Sequence, residues 1–315
     1  MSFQLDFNTH GKGRVRLVKV TRRKCGTHEV MQLNVQILLE GNDMESAFTE
    51  GDNSKVVPTD TCKNTVYCVA NQHEFTSIED FGIILGKHFI VTYPTIVNKV
   101  NIIIKKDTWE RVSVPDSKGK IAPHKHTFRR IGPQVPFTEV SVQGSRGTLT
   151  GVSVKSGFRS LEILKTTQSG FVGFPKCRYT SLPEVTDRLV GTSADCEWVY
   201  NSEPVMRGAI NYNKVYADIE TAMIRTFAGP ADKGVYSASV QQTLHQMACA
   251  GLQVAPSVDQ ITLQMPNIHN MTFNLEQYGL KNKDHTGNPF IFYPIDEPHG
   301  MIKATVKRNQ RAKLQ

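Results

Sequence analysis

The chain has 315 residues, of which 39% are hydrophobic and 21% charged, enough apolar content to bury one large or two medium cores and too much for a disordered chain. No run approaches the ~20 apolar residues of a membrane-spanning helix, and no charged-then-apolar leader opens the chain, which speaks against the membrane and secreted classes. Lys and Arg number 37 against 29 Asp and Glu, a formal charge of +8 that draws anions, but the surplus is spread out rather than clustered as nucleic-acid binding would require.

In chain order, Val15–Val20 and the alternating stretch Val30–Glu40 read as a hairpin, with Arg22–His28 and its Gly26 as the turn. Lys63–Ala70 reads as helical despite its β-branched residues. Thr76 and Glu79 form a T-x-x-E capping box, Phe81, Ile84, Leu85, His88 and Phe89 recur at helical spacing, and Pro94 ends that helix. Val97–Ile104 returns to strand and Trp109–Val114 continues it. Thr138–Val142 and Ser160–Leu164 read as strands, and Leu182–Thr186 as a short helical run. Two helices follow, carried by Tyr212, Val215, Tyr216, Ile219, Met223 and Phe227, then by Val240, Leu244, Met247, Ala248 and Leu252, with Gly229-Pro230 between them. Val258–Met265 and Met271–Leu275 are strands again. Strands grouped with strands and helices with helices argue for an α+β class with antiparallel sheets. The order repeats, which suggests a duplicated unit with its boundary near Gly132–Pro136. The expected domains are therefore 1–135 and 136–315, the second ending in a basic tail (Lys303, Lys307, Arg308, Arg311, Lys313) that reads as a solvated end.

The six cysteines (Cys25, Cys62, Cys68, Cys177, Cys196, Cys249) form no C-x-x-C pair and read as small buried apolar groups in a reducing compartment. There is no Walker loop, no G-x-G-x-x-G after a strand and no H-E-x-x-H. His124 and His126 have a possible metal spacing but lack a third ligand.

Several residues carry usable chemistry. Lys12, between Gly11 and Gly13, can approach a ligand closely; as a base it needs its pKa lowered, and otherwise it is an exposed turn lysine. Asn53 to Thr65 is dense in hydroxyls, amides and charge. Pro58 places Thr59 and Asp60 at a strand-to-helix entry, as an anion site or as an ordinary cap. Asn267 and His269 alternate by two and so face one side of a strand, either to hold a polar molecule and relay protons or as a satisfied pair. Arg188, after Asp187, offers a planar fork for a planar oxo group. Ser239 and Gln242 make an S-x-x-Q box that puts Val240 and Gln241 in a first helical turn, where N–H groups favour an anion.

Taken in order, Gly11-Lys12, Asn53-Ser54, Thr59-Asp60, Lys63-Asn64-Thr65-Val66-Tyr67, Phe171-Val172-Gly173-Phe174, Tyr179-Thr180, Asp187-Arg188, Ser239-Val240-Gln241 and Pro266-Asn267-Ile268-His269 resemble the urate oxidase (uricase) family, over nearly the whole chain from about His10 to Lys307. The resemblance implies tandem tunnelling-fold domains, with antiparallel sheets carrying helices on one face and closing into a barrel on oligomerisation. It implies a homotetramer with active sites between subunits, and oxidation of urate by O₂ and water to 5-hydroxyisourate and hydrogen peroxide with neither metal nor organic cofactor. Arg188 and Gln241 would clamp the urate edge, Phe171 would stack on the ring, and the Val240 N–H would contact a carbonyl. Thr59 and Asp60 would come from the neighbouring subunit. Lys12, Thr59 and His269 would relay protons, while Asn267 and Thr59 would hold dioxygen or water above the ring. His10 and Pro58 depart from the tyrosine and alanine common at these places, and Pro58 removes one backbone donor. The alternative is another purine- or pterin-binding protein of the same fold, although pterin-type members lean on zinc ligands or a catalytic cysteine. Many animal members end in Ser-Lys-Leu, a peroxisomal address; here Ala312-Lys313-Leu314 is followed by Gln315, an imperfect form, so the expectation is the peroxisome and otherwise the cytoplasm.

Overall fold

The computed structural model describes residues 3–41, 43–285 and 287–309. Strands β1 (His10–Arg22) and β2 (His28–Glu40) form the expected hairpin. Helix α1 (Glu45–Thr49) and a 3-10 turn at Asn53–Lys55 lead to α2 (Thr59–Gln72) and α3 (Ile78–Thr92). Next come β3 (Lys99–Pro115), β4 (Ile121–Ile131), β5 (Val135–Ser145), β6 (Thr148–Lys165) and β7 (Val190–Tyr200). The chain continues through α4 (Ser202–Arg207), α5 (Tyr212–Ala228), α6 (Val240–Val254), β8 (Val258–Thr272) and β9 (Phe292–Lys307).

Two compact units emerge, one of residues up to 158 with 198–215, the other of 159–197 with residues from 216 on. In the first, the strand order is β1-β2-β3-β5-β6, with β4 added beside β3; in the second it is β6-β7-β8-β9. The pairs β1–β2, β2–β3, β3–β4, β3–β5 and β8–β9 are antiparallel. The segment 132–136, where the composition suggests a boundary, connects β4 to β5. Strand β5 pairs along β3 from Lys99↔Gln143 to Lys105↔Phe137, so it lies in the first unit. The repeat of two strands, two helices and two strands turns over at the β5–β6 turn, with β4 as an inserted arm.

In the first unit, α3 packs on β3 and β5. A Cβ on Gly82 would stand 2.8 Å from Val140 Cγ2, and one on Gly86 2.4 Å from Val142 Cγ2, while Ile90 meets Gly144. Four helical residues rise about 6.0 Å and two strand residues about 6.6 Å. Three successive helix–strand contacts therefore stay in step, and the missing side chains let the helix lie close on the sheet. In α2, Cys62, Val66, Val69 and Ala70 are buried at i, i+4, i+7 and i+8. A valine costs roughly half a kcal/mol of helix propensity, whereas burying its side chain yields about 2 kcal/mol, so burial wins and the β-branched segment is helical. In the second unit α6 packs on β8 and β9, and Met247, Ala248, Ile261, Leu263 and Met265 are buried.

Several local expectations are corrected. The cap of α3 lies one residue later than Thr76/Glu79: Ser77 Oγ accepts from the Asp80 N–H and donates to the Asp80 carboxylate. Residues 182–186 are not helical; Val185 pairs with Phe171 as an isolated bridge. Strand β8 runs unbroken from Val258 to Thr272, and Phe273–Leu275 fall outside it. Strands β4, β7 and β9 were not anticipated. Only Cys62 and Cys196 are buried; Cys25, Cys68, Cys177 and Cys249 are exposed. The basic tail is not simply a solvated end. Lys303 and Lys307 belong to β9, and Arg308 donates to the carbonyls of Leu252, Ala255 and Val258, tying the end of β9 to the α6–β8 connection. Arg311 and Lys313 lie outside the described residues.

Glu79, displaced from its expected capping role, is 4% exposed. Its Oε1 lies 2.6 Å from Ser156 Oγ, which lies 3.0 Å from Thr138 Oγ1, itself 3.1 Å from the Lys155 carbonyl. Each hydroxyl has one proton, so all three bonds form together only if Glu79 is protonated and donates. Burial accordingly raises its pKa, opposed by the Ser156 hydrogen bond and by Lys106. The carboxyl is raised on folding, so its contribution to stability is complete below the unfolded value near 4.5 and is lost as pH rises through the folded value. Glu79→Gln keeps a donor without the charge. Denaturant unfolding from pH 5 to 8 is expected to show a falling wild-type stability that is flattened in the variant; parallel pH profiles would refute a protonated Glu79.

Candidate functional site

The first unit holds Lys12, Thr59 and Asp60. Lys12 is half-buried in β1 opposite Ile37, directly before a bulge that contains Arg14 at φ 58°; a bulge re-aims the side chains beside it. Gly11 serves the sheet, not a ligand: a Cβ there would lie 1.9 Å from the Ile37 carbonyl oxygen of β2. His10, the residue in place of the usual tyrosine, ties its Nε2 to the Val57 carbonyl at 2.9 Å. Tyr67 Oη donates to the Arg16 carbonyl at 3.0 Å. The first bond brings the start of β1 beside the residues that open α2, and the second ties the middle of α2 to the middle of β1. Pro58 is the N-cap residue in extended conformation and has no side-chain cap, so Thr59 and Asp60 are the first helical residues rather than caps. Their N–H groups belong to the unpaired set at a helix start, where anions are favoured. The Asp60 carboxylate accepts from Lys63 Nζ at 2.5 Å and Asn64 Nδ2 at 2.8 Å. Lys63 chiefly, with Asn64 and the more distant charge of Lys12, holds it below the usual carboxylate range.

The second unit holds the remaining candidates. A cavity of about 810 Å³ is lined by Arg188, Asn267 and His269, together with Asp187, Asn270 and Phe290 among others. Asn267 and His269 share it because both lie on β8, although the β8–β9 register shifts between them. Phe171 lies outside the lining, but the Arg188 guanidinium carbon stands 5.7 Å from its ring centre. Phe171 itself stacks on Phe174 at 4.9 Å and 11°. Val240 and Gln241 open α6, whose N-cap Ser239 accepts from the Gln242 N–H at 3.1 Å as the S-x-x-Q spacing implies. The Val240 N–H, at the first helical position, has no acceptor within the helix.

Arg188 Nε is buried and has no hydrogen-bond partner. Burial depresses the guanidinium pKa, with Tyr236 offsetting part of the effect, yet an arginine stays charged. Leaving such a donor unsatisfied costs about 1–3 kcal/mol; a planar anion with acceptors on one edge relieves it. The His269 pKa is lowered by burial, then by the charges of Arg188 and His299, so at neutral pH its imidazole is neutral and retains one accepting nitrogen. No group of three or more His, Cys, Asp or Glu among the described residues is arranged to hold a metal ion. His124 and His126 contact each other edge to face at 4.6 Å in β4, and the His28 ring lies 5.7 Å from that of His126, but the three are not arranged to hold a metal ion. Sequence reading passed over Gln168 and Tyr236, which brace the loops behind Phe171 and Arg188. The left-handed Gln168, at φ 59°, carries no local sign of that conformation.

Antiparallel sheets with helix pairs on one face, in a twice-repeated order, define a tunnelling-fold protein, and the cavity beside Arg188 suits a flat anion. The sequence matches the profile of the family described as Uricase at residues 8–141 and 154–303. It is 37% identical over 302 residues to a uricase of Dictyostelium discoideum, covering 96% of each chain, and 40% identical to one of Arabidopsis thaliana, covering 95% of this chain and 94% of that one. The crystal structure of uricase from Arthrobacter globiformis superposes with a TM-score of 0.84 at 33% identity, covering 98% of this chain and 96% of the other. The chain belongs to the uricase family.

Proposed function

We infer that this chain is a urate oxidase, which converts urate, O₂ and water to 5-hydroxyisourate and hydrogen peroxide. Family membership supports the reaction. The single structural observation that carries the reading is the buried, unpartnered Arg188 Nε at a cavity shared with Asn267 and a neutral His269.

In this reading Arg188 and Gln241 grip one edge of urate, the Val240 N–H meets a carbonyl, and Phe171 turns its face to the ring. Lys12, Thr59 and His269 take a further proton from the bound monoanion. The resulting dianion is electron-rich enough to give one electron to O₂, and the two radicals recombine as a hydroperoxide at the ring. Peroxide then leaves and water, held by Asn267 and Thr59, adds in its place. The protein contributes orientation, proton removal and a shielded cavity, and its charge of +8 favours capture of the anion.

Thr59, Asp60 and Lys12 belong to the first compact unit and the other groups to the second. We assign the complete site to a homotetramer in which Thr59 and Asp60 close the pocket of a neighbouring subunit and the tandem domains assemble into a barrel. The proposed compartment is the peroxisome, otherwise the cytoplasm; Ala312–Gln315 lie outside the described residues, and no described helix is long and apolar enough to cross a membrane. No observation favours the alternative of a non-oxidising purine or pterin binder. The test is ultraviolet loss of urate by purified protein, with oxygen uptake and peroxide measured in parallel. Equimolar consumption and release, insensitive to chelators, is expected; absence of turnover would refute the reading.

A further inference from the structure

We propose that Asp187 is the positioning residue of the clamp, the pin that holds Arg188 in register with Phe171 and the start of α6; this rests on the urate oxidase reading above. The Asp187 carboxylate accepts from the Gln168 backbone N–H at 2.8 Å, and the Thr167 hydroxyl lies 2.8 and 3.0 Å from its two oxygens. These bonds fasten segment 167–171 to segment 185–188. The same two segments meet again where Phe171 and Val185 exchange backbone hydrogen bonds at 2.7 and 3.1 Å.

A third segment is tied to the same place. The Gln168 side chain donates to the Lys233 carbonyl at 2.8 Å, its carbonyl accepts from the Ser237 N–H at 2.8 Å, and the Gly170 N–H donates to the Ser237 carbonyl at 2.9 Å. Tyr236 Oη donates to the Thr186 carbonyl at 3.1 Å. Thus the stretches ending in Phe171, in Arg188 and in Val240-Gln241 all converge on Gln168, whose φ of 59° is one that a residue with a side chain adopts only when held there. Asp187 is the side chain that grips its N–H. The same donors occupy the carboxylate, which lines the cavity and would otherwise present a bare negative charge to an anionic ligand. Because a misplacement of about 1 Å at a binding group costs on the order of a hundredfold, geometry at this hub governs how well the clamp closes.

The experiment compares wild type, Asp187→Ala and Asp187→Asn by steady-state kinetics with urate, by binding of a non-oxidisable urate analogue, and by thermal melting. For Asp187→Ala, KM and the analogue Kd are expected to rise about tenfold or more while kcat at saturation stays within about threefold. Asp187→Asn, whose Oδ1 can still accept from the Gln168 N–H, is expected to recover most of the affinity. The proposal is overturned if Asp187→Ala keeps the wild-type KM, or if its losses merely follow the loss of folded protein and the asparagine does no better. Should Asp187→Ala fail to fold, Thr167→Val removes one donor alone, and an unchanged KM there overturns the proposal equally. Wild type that leaves urate untouched would remove the functional reading and this inference with it; active wild type with an indifferent Asp187→Ala removes only the inference.

Discussion

Lys12→Met is expected to lower kcat for urate by about 10²–10⁴-fold, the range that a positioned acid–base group contributes, while binding of a non-oxidisable urate analogue changes little. The methionine keeps the length and packing of the lysine stem and removes only the amine. The backbone is held independently of that amine, since His10 anchors Val57 and β1 pairs with β2 on both sides of the bulge. A fall in kcat can therefore be assigned to the missing proton acceptor and not to a collapsed strand. His269, with its pKa lowered, stays neutral until the pH falls below the ordinary imidazole value of 6.5. The wild-type rate is accordingly expected to hold down to that region and fall on the acid side as the imidazole gains a proton. Full turnover in Lys12→Met would remove the lysine from the relay.

Arg188→Ala is expected to weaken urate binding by about 2–4 kcal/mol, roughly 30- to 1,000-fold in apparent affinity. The guanidinium is half-buried, its Nε has no protein partner, and its plane stands near Phe171, so little else in the protein depends on it. Arg188→Lys restores the charge but not the fork, and should recover only part of the loss. Titration with the same analogue measures both variants, and an unchanged affinity in Arg188→Ala would take it out of the clamp. The two substitutions separate the halves of the mechanism: one leaves a bound but unreacting substrate, the other a competent centre that seldom holds one.

Much of this was legible from the chain alone, for identifiable reasons. Helices α3, α5 and α6 bury one face each, so their apolar residues recur at the period of the helix. The β1–β2 hairpin is joined through Gly26 and needs only short-range pairing. The family motifs survive as short blocks because each sits on a single element: Thr59-Asp60 at the start of α2, Ser239-Val240-Gln241 at the start of α6, Asn267 and His269 on β8. Strands β4 and β9 were hidden because they are mostly exposed and carry prolines and charges; their pairing with β3 and β8 supplies what their own residues do not. The segment 182–186 has helix-compatible residues, but its hydrogen bonds go across to Phe171.

What the sequence by itself determined is the α+β class, the repeated order of strands and helices, and the family, because periodicity and motif order are written in residues close together along the chain. Tertiary structure decided which carboxyl has its pKa raised by burial, where the repeat turns over, and how Gln168 and Asp187 brace Arg188. Those outcomes turn on burial and hydrogen bonds between residues some 20 to 80 positions apart, such as Gln168 with Asp187 and Glu79 with Ser156. No local pattern carries that information, since the free energy that settles each one is supplied by a partner elsewhere in the chain.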